Sequence, residues 1–115
     1  MLVYCLASGQ ESVEIREKGF HNEMYCFFDD EDETADPYVQ VGVRVTDTIP
    51  TVIWPGLDER VDRAIVLALN VPEKIFAEHE FNDGYIEYTK VGRWSYIPAE
   101  ALNHYGPPRT VAILE

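Results

Sequence analysis

The apolar positions along the chain fall into short runs, and they alternate more often than they recur at helical spacing. Tyr38–Val45 is the cleanest case: Val39, Val41, Val43 and Val45 point one way, and Tyr38, Gln40, Gly42 and Arg44 the other. That two-residue period predicts a half-buried strand. Leu2–Leu6 reads as a first strand and Met24–Phe28 as a second, while Ala64–Val71, apolar on both faces, reads as a central one. Phe81-Asn-Asp-Gly-Tyr85 carries the Asp-Gly turn of a tight hairpin. Residues 85–91 and 93–97 then read as strands with Gly92 between them, and Thr110–Leu114 as a last strand.

Helix signals are fewer. Ser8-Gly-Gln-Glu11 has capping-box spacing, in which the serine hydroxyl accepts from the first turn and Glu11 reaches back. A helix over 9–18 follows, with Gly19 as its left-handed cap and Phe20 returning the chain to the core. Pro72 and Glu73 suit the start of a helix over 72–79, Pro98–Leu102 a helical turn, and Leu57–Arg63 another. Strands dominate. The pattern predicts an α+β protein whose single compact domain covers residues 1–115, with a bent, mostly antiparallel sheet and two or three short helices.

The length of 115 residues fits one domain, and 46% hydrophobic residues supply its core. With 21 acidic residues against 9 basic ones the formal charge is −12. That sign excludes direct nucleic-acid binding, which needs clustered Lys and Arg, and disfavours an anionic membrane surface. The longest apolar run, Ala64–Leu69, is far short of the ~20 residues of a membrane helix. Met1–Ala7 lacks the basic leader and long apolar core of a signal peptide, so a cytoplasmic location is expected. Cys5 and Cys26 lie in apolar strand segments and read as two buried, reduced thiols. There is no CxxC, and His21, His79 and His104 are far apart, so no metal site is expected.

Half of the charge sits in an insertion at 29–36 between two strands, where Asp29, Asp30, Glu31, Asp32, Glu33 and Asp36 make a solvated acidic loop. It lacks the EF-hand pattern, having Thr34 at its sixth position and Gln40 at its twelfth. These six residues are the candidate partner-binding group, directed at a basic protein surface. Elsewhere fifteen acids face nine bases. The excess is therefore partly distributed, as in an acidic nucleic-acid mimic that inhibits a basic protein by filling its cationic groove. His79 with Glu78 and Glu80, and His104 with Glu100, have the composition of acid–base pairs but read as surface histidines.

The strand, short helix and Gly-Phe pair of Leu2–Phe20 resemble the opening of ADP-ribosyltransferase-like domains. The order continues with a hydrophobic strand, Val71-Pro-Glu-Lys-Ile-Phe76, a hairpin, and Ile97-Pro-Ala-Glu-Ala-Leu102. The resemblance implies an ADP-ribosyltransferase-like topology and NAD as ligand. In that family the first strand ends in His-Gly-Thr, or an Arg-led variant, and holds the nicotinamide amide and ribose. Here Cys5-Leu6-Ala7 stands there, and a thiol does not reproduce the hydrogen bonding of histidine. By the resemblance, Cys5, Ser8 and Tyr38 line the cofactor pocket. Glu87 is the late-strand carboxylate that polarises the ribose hydroxyl. A second alignment puts Ser95 at that position and leaves no carboxylate. Arg16, Arg44, Lys90 and Arg93 are the cations on offer to a pyrophosphate.

The expectation is a degenerate domain of this kind, without a cofactor, acting by binding a protein or a small ligand. Two alternatives stay open. One is an active NAD-dependent ADP-ribosyltransferase or NAD glycohydrolase using Glu87; the other is the acidic nucleic-acid mimic.

Overall fold

The computed structural model describes residues 1–27, 38–54, 61–81 and 92–115, with the backbone alone at 26, 27 and 38. Strand β1 (Leu2–Ala7) forms where the first strand was expected, and its burial alternates, with Val3, Cys5 and Ala7 buried. Ser8 then N-caps α1 (Gly9–Lys18), its hydroxyl accepting from the Glu11 amide at 3.1 Å. Ile15 and Ser12 form the inward side of that helix. Gly19 closes it, donating to the Ile15 carbonyl at 2.8 Å. Its φ of 91° is positive as expected, but ψ is 174°, so the chain leaves extended and not through a left-handed turn. The Asn103 side chain explains the exit. Its Oδ1 accepts from the Phe20 amide, its Nδ2 donates to the Phe20 carbonyl, and the pair holds Phe20 straight against the core.

The remaining elements are β2 (Glu23–Phe27), β3 (Tyr38–Thr46), β4 (Ala64–Asn70), α2 (Glu73–Glu78), β5 (Trp94–Ile97), α3 (Ala99–Asn103) and β6 (Arg109–Leu114). Pro72 sits at the N-cap of α2, one place earlier than its preference for the first turn suggests. Asp62 and Arg63 lie outside any helix. The strand expected at 85–91, the Asp83-Gly84 turn and residues 57–60 of the expected helical turn lie outside the described residues.

The sheet order is β2-β3-β1-β4-β6, with β5 also on β3, and every pairing among the described strands is antiparallel. β4 pairs with β1 along its length and with β6 on its other edge, and side chains of both its faces, Leu67 and Leu69 on one and Val66 and Ala68 on the other, are buried, which is why it is apolar on both. β3 changes partner partway. Tyr38–Gly42 pairs with β2, and Val43–Thr46 pairs with β5; β1 joins only at Tyr4 opposite Thr46.

One face of the sheet carries the main core. Val3, Cys5, Val43, Val45, Leu67, Leu69 and Ile97 pack there with Ile15 of α1, Phe20, Phe76 of α2, and Ala99 and Leu102 of α3. Asn22 Oδ1 accepts from the Ala99 amide at 2.8 Å and fastens the start of α3 to the lead-in of β2. On the opposite face Trp54 and Trp94 meet edge to face, centroids 4.8 Å apart.

Candidate functional site

The residues singled out by the family resemblance fall in different parts of this architecture. Cys5 lies on the core face of β1, 3% exposed and opposite Leu67. Burial, helped by the Glu23 charge, pushes its thiol up to about 12. Ser8 directly follows the buried Ala7, and its hydroxyl is committed to the cap of α1. Tyr38 begins β3, while β3 meets β1 at its last residue, Thr46. At about 3.3 Å per residue, that register leaves roughly 25 Å of strand between Tyr38 and the neighbourhood of Cys5. Tyr38 is therefore remote from Cys5, and Ser8 is set at the start of α1. Glu87 lies outside the described residues, as do Asp29, Asp30, Glu31, Asp32, Glu33 and Asp36. Ser95 is fully buried, and its hydroxyl donates to the Phe76 carbonyl at 2.9 Å, tying β5 to the end of α2.

Two of the cations on offer to a pyrophosphate are engaged. The Arg93 guanidinium donates through Nε and Nη2 to Glu80 Oε1 and through Nη1 to Glu73 Oε1, and it lies over the Phe76 ring at 5.0 Å. Both carboxylates favour its charged form, so its pKa moves up. Its backbone amide donates to Asp47 Oδ1, and its carbonyl accepts from the Thr46 hydroxyl and the Asp47 amide. This network locks the start of β5 to the end of β3. Arg44 sits on the face of β3 away from the main core. Its Nε donates to the Tyr96 hydroxyl at 3.1 Å, and its guanidinium carbon stands 4.4 Å above the Tyr25 ring and 5.5 Å from that of Tyr96. Tyr25 and Tyr96 meet edge to face at 5.0 Å, and Phe81 packs on Tyr96. The Tyr25 hydroxyl donates to Glu23, and burial, with that carboxylate, raises its pKa. Tyr96 thus pairs with Tyr25. Arg16 is exposed on α1, and Lys90 lies outside the described residues.

The β2–β3 pair presents a different kind of surface. Alternation puts Val39, Val41, Val43 and Val45 on one face, as expected, yet only half of that stripe is covered. Val43 and Val45 are 8% and 0% exposed, whereas Val39 and Val41 are 44% and 52% exposed. Met24, opposite Val41, is 70% exposed and extends the patch onto β2. The expectation that all four valines face a core is corrected here. Among the described residues the helices that cover this face stop at the level of Val43, where Ile97 and the start of α3 lie, and the β2–β3 arm continues past them. The changeover falls at Gly42, whose backbone is tight against the Ile97 carbonyl. Nothing in the alternation distinguishes Val41 from Val43, but the neighbouring Gly42 was available as a signal that the strand changes partner there.

Glu100 and His104 share the exposed side of α3, and the His104 ring packs against Tyr105. Among the described residues, no group of three or more His, Cys, Asp or Glu is placed to hold a metal ion, and no helix is long and apolar enough to cross a membrane.

The architecture defines a single compact α+β domain, with a mostly antiparallel six-stranded sheet and three helices among the described residues. The chain matches no protein-family model, and no curated protein or solved structure matches it.

Proposed function

We propose that this chain is a binding domain that acts by engaging another protein, built on an ADP-ribosyltransferase-like topology without turnover. The observation that carries the reading is the half-covered valine stripe. A contiguous apolar patch of Met24, Val39 and Val41 stands exposed on an arm that has two strands among the described residues, and it continues a stripe whose other half, Val43 and Val45, is buried. Exposed apolar groups of this kind mark association surfaces more often than scattered single ones do. A two-stranded arm also gains stability when a partner covers its apolar side. The cofactor-side evidence points the same way. Cys5 is a core residue, Ser8 and Ser95 spend their hydroxyls on backbone groups, and Arg44 and Arg93 are held by neighbours. With the −12 charge, the favoured partner is basic.

The competing reading is NAD chemistry at Glu87, and it makes a distinct prediction. Under the binding reading, NAD added to the folded protein produces neither a thermal shift nor free nicotinamide, followed by chromatography over hours. Nicotinamide release that disappears in Glu87→Gln, with the fold intact by circular dichroism, overturns the binding reading in favour of an NAD-consuming enzyme. The acidic-mimic alternative differs from docking on the arm in its footprint. It requires loss of partner affinity when Asp29, Asp30, Glu31, Asp32, Glu33 and Asp36 are made neutral, and no loss when Met24 is made polar.

A further inference from the structure

We propose that the Met24, Val39, Val41 face of the β2–β3 arm receives a basic amphipathic helix from a partner protein. This rests on the reading of the chain as a binding domain, and adds the partner's chemistry and its mode of seating. The first argument is continuity of layers. On this face of the sheet the covering elements are helical: Ile15 of α1, Phe76 of α2 and Leu102 of α3 all pack on strand residues that share it. Among the described elements the layer ends beside Val43, and Val41 and Val39 on the same face stand exposed, with Met24 beside them. A helix laid over the arm extends an arrangement the fold already uses, since sheets bury an apolar face most readily under helices.

The second argument is length. Five paired residues per strand, Glu23–Phe27 against Tyr38–Gly42, span about 17 Å at ~3.3 Å per residue, close to three turns of helix at 5.4 Å each. A helix of three to four turns with one apolar stripe therefore matches the patch in reach.

Charge selects the occupant. A second copy of this chain brings another −12, and its own arm carries the same intervening acidic sequence, six acids in residues 29–36 between the two strands. Two such arms repel each other at physiological ionic strength before their apolar faces meet. A helix with Lys and Arg flanking its apolar stripe is attracted instead. The aromatic cluster contributes indirectly. Tyr25, Arg44 and Tyr96 close the opposite face of the arm, so the Met24 side is the one left for docking.

The test uses the full chain, labelled with ¹⁵N, and two synthetic peptides. One is a Leu–Lys amphipathic helix of about 14 residues. The other has the same number of lysines with every leucine replaced by serine. The expected result is that the Leu–Lys peptide shifts the backbone resonances of 23–27 and 38–42, and binds at least about ten-fold more tightly than the serine peptide, a difference of 1.4 kcal/mol. Met24→Gln/Val41→Thr, changed only at exposed positions, is expected to lose about ten-fold in affinity for the Leu–Lys peptide. Val111→Thr, on the separate exposed stripe of β6, is expected to bind as the parent does. Equal affinity for the two peptides, shifts centred away from the arm, no binding, or a parent-like double variant each overturns the proposal. So does concentration-dependent dimerisation of the parent that the double variant abolishes, because the occupant is then a second copy. NAD turnover removes the underlying binding reading whatever the peptides do. A chain inert to NAD that does not take the peptide on the arm loses only this proposal.

Discussion

Gly42 is where β3 passes from pairing with β2 to pairing with β5, and a single methyl group there tests the geometry of the arm. Its φ is 147°, a region that L side chains rarely enter. A Cβ built on it falls 3.0 Å from the Ile97 carbonyl oxygen and 3.2 Å from the Tyr96 carbonyl carbon. These are backbone atoms of a paired strand, which cannot rotate away as a side-chain tip does. Backbone strain of this kind costs of order 1–3 kcal/mol, and relieving the overlap by moving β5 adds a cost of the overpacking type. Gly42→Ala is therefore expected to lower stability by about 2–4 kcal/mol, or roughly 8–16 °C in melting temperature for a domain of this size. Gly9→Ala is the matched control. The same methyl group meets nothing within 4 Å at the start of α1, and Ala is the better helix former. It is expected to be neutral or to stabilise by up to about 1 kcal/mol. Urea unfolding followed by fluorescence measures both, since Trp54 and Trp94 pack together on the sheet face that Gly42 borders. A Gly42→Ala midpoint within error of the parent, or a Gly9→Ala loss of similar size, refutes the account of the partner change at Gly42.

Two further outcomes follow from buried groups. Ser95→Ala removes the hydroxyl that donates to the Phe76 carbonyl in the core, and is expected to cost about 1–2 kcal/mol by urea unfolding; an unchanged midpoint refutes a structural role for that hydroxyl. Cys5 has its thiol pushed from 9.0 to about 12 in the folded chain, so its contribution to stability is intact below pH 9 and is lost as the pH rises from about 9 towards 12. Cys5→Ala should show a flatter stability profile across that window, and identical profiles would sink the assignment. In the parent at pH 8, peptide-resolved mass spectrometry should find Cys5 unmodified by iodoacetamide until urea unfolds the chain.

Much of the architecture was legible in the local pattern. The apolar run of Leu2–Leu6, the alternation of Tyr38–Val45, the Ser8 cap and the two-faced apolar run of β4 each state a backbone preference that holds whatever lies nearby. The site was less legible, because its residues are defined by what lies across from them. Cys5 occupies a position where the resemblance implies a ligand contact, but its environment is set by Leu67 on β4, some sixty residues away in sequence. Ser95 and Arg93 looked like available polar groups until the fold brought Phe76, Glu80 and Glu73 within reach of them. Asn103 gave no signal at all, because its partners are the backbone atoms of Phe20 on the far side of the chain.

The valine stripe of β3 separates the two kinds of information most plainly. The sequence by itself determined that Val39, Val41, Val43 and Val45 share a side, because successive residues of an extended chain point in opposite directions. It also determined that the protein is acidic and that a run of carboxylates joins β2 to β3. Only the tertiary structure decided where the cover ends. Burial depends on what other elements lie over a side chain: Val43 and Val45 join the core under the helical layer, α3 lying against β3, whereas Val39 and Val41 stand exposed. An apolar stripe read in sequence as one core is therefore, in the folded chain, half core and half exposed surface.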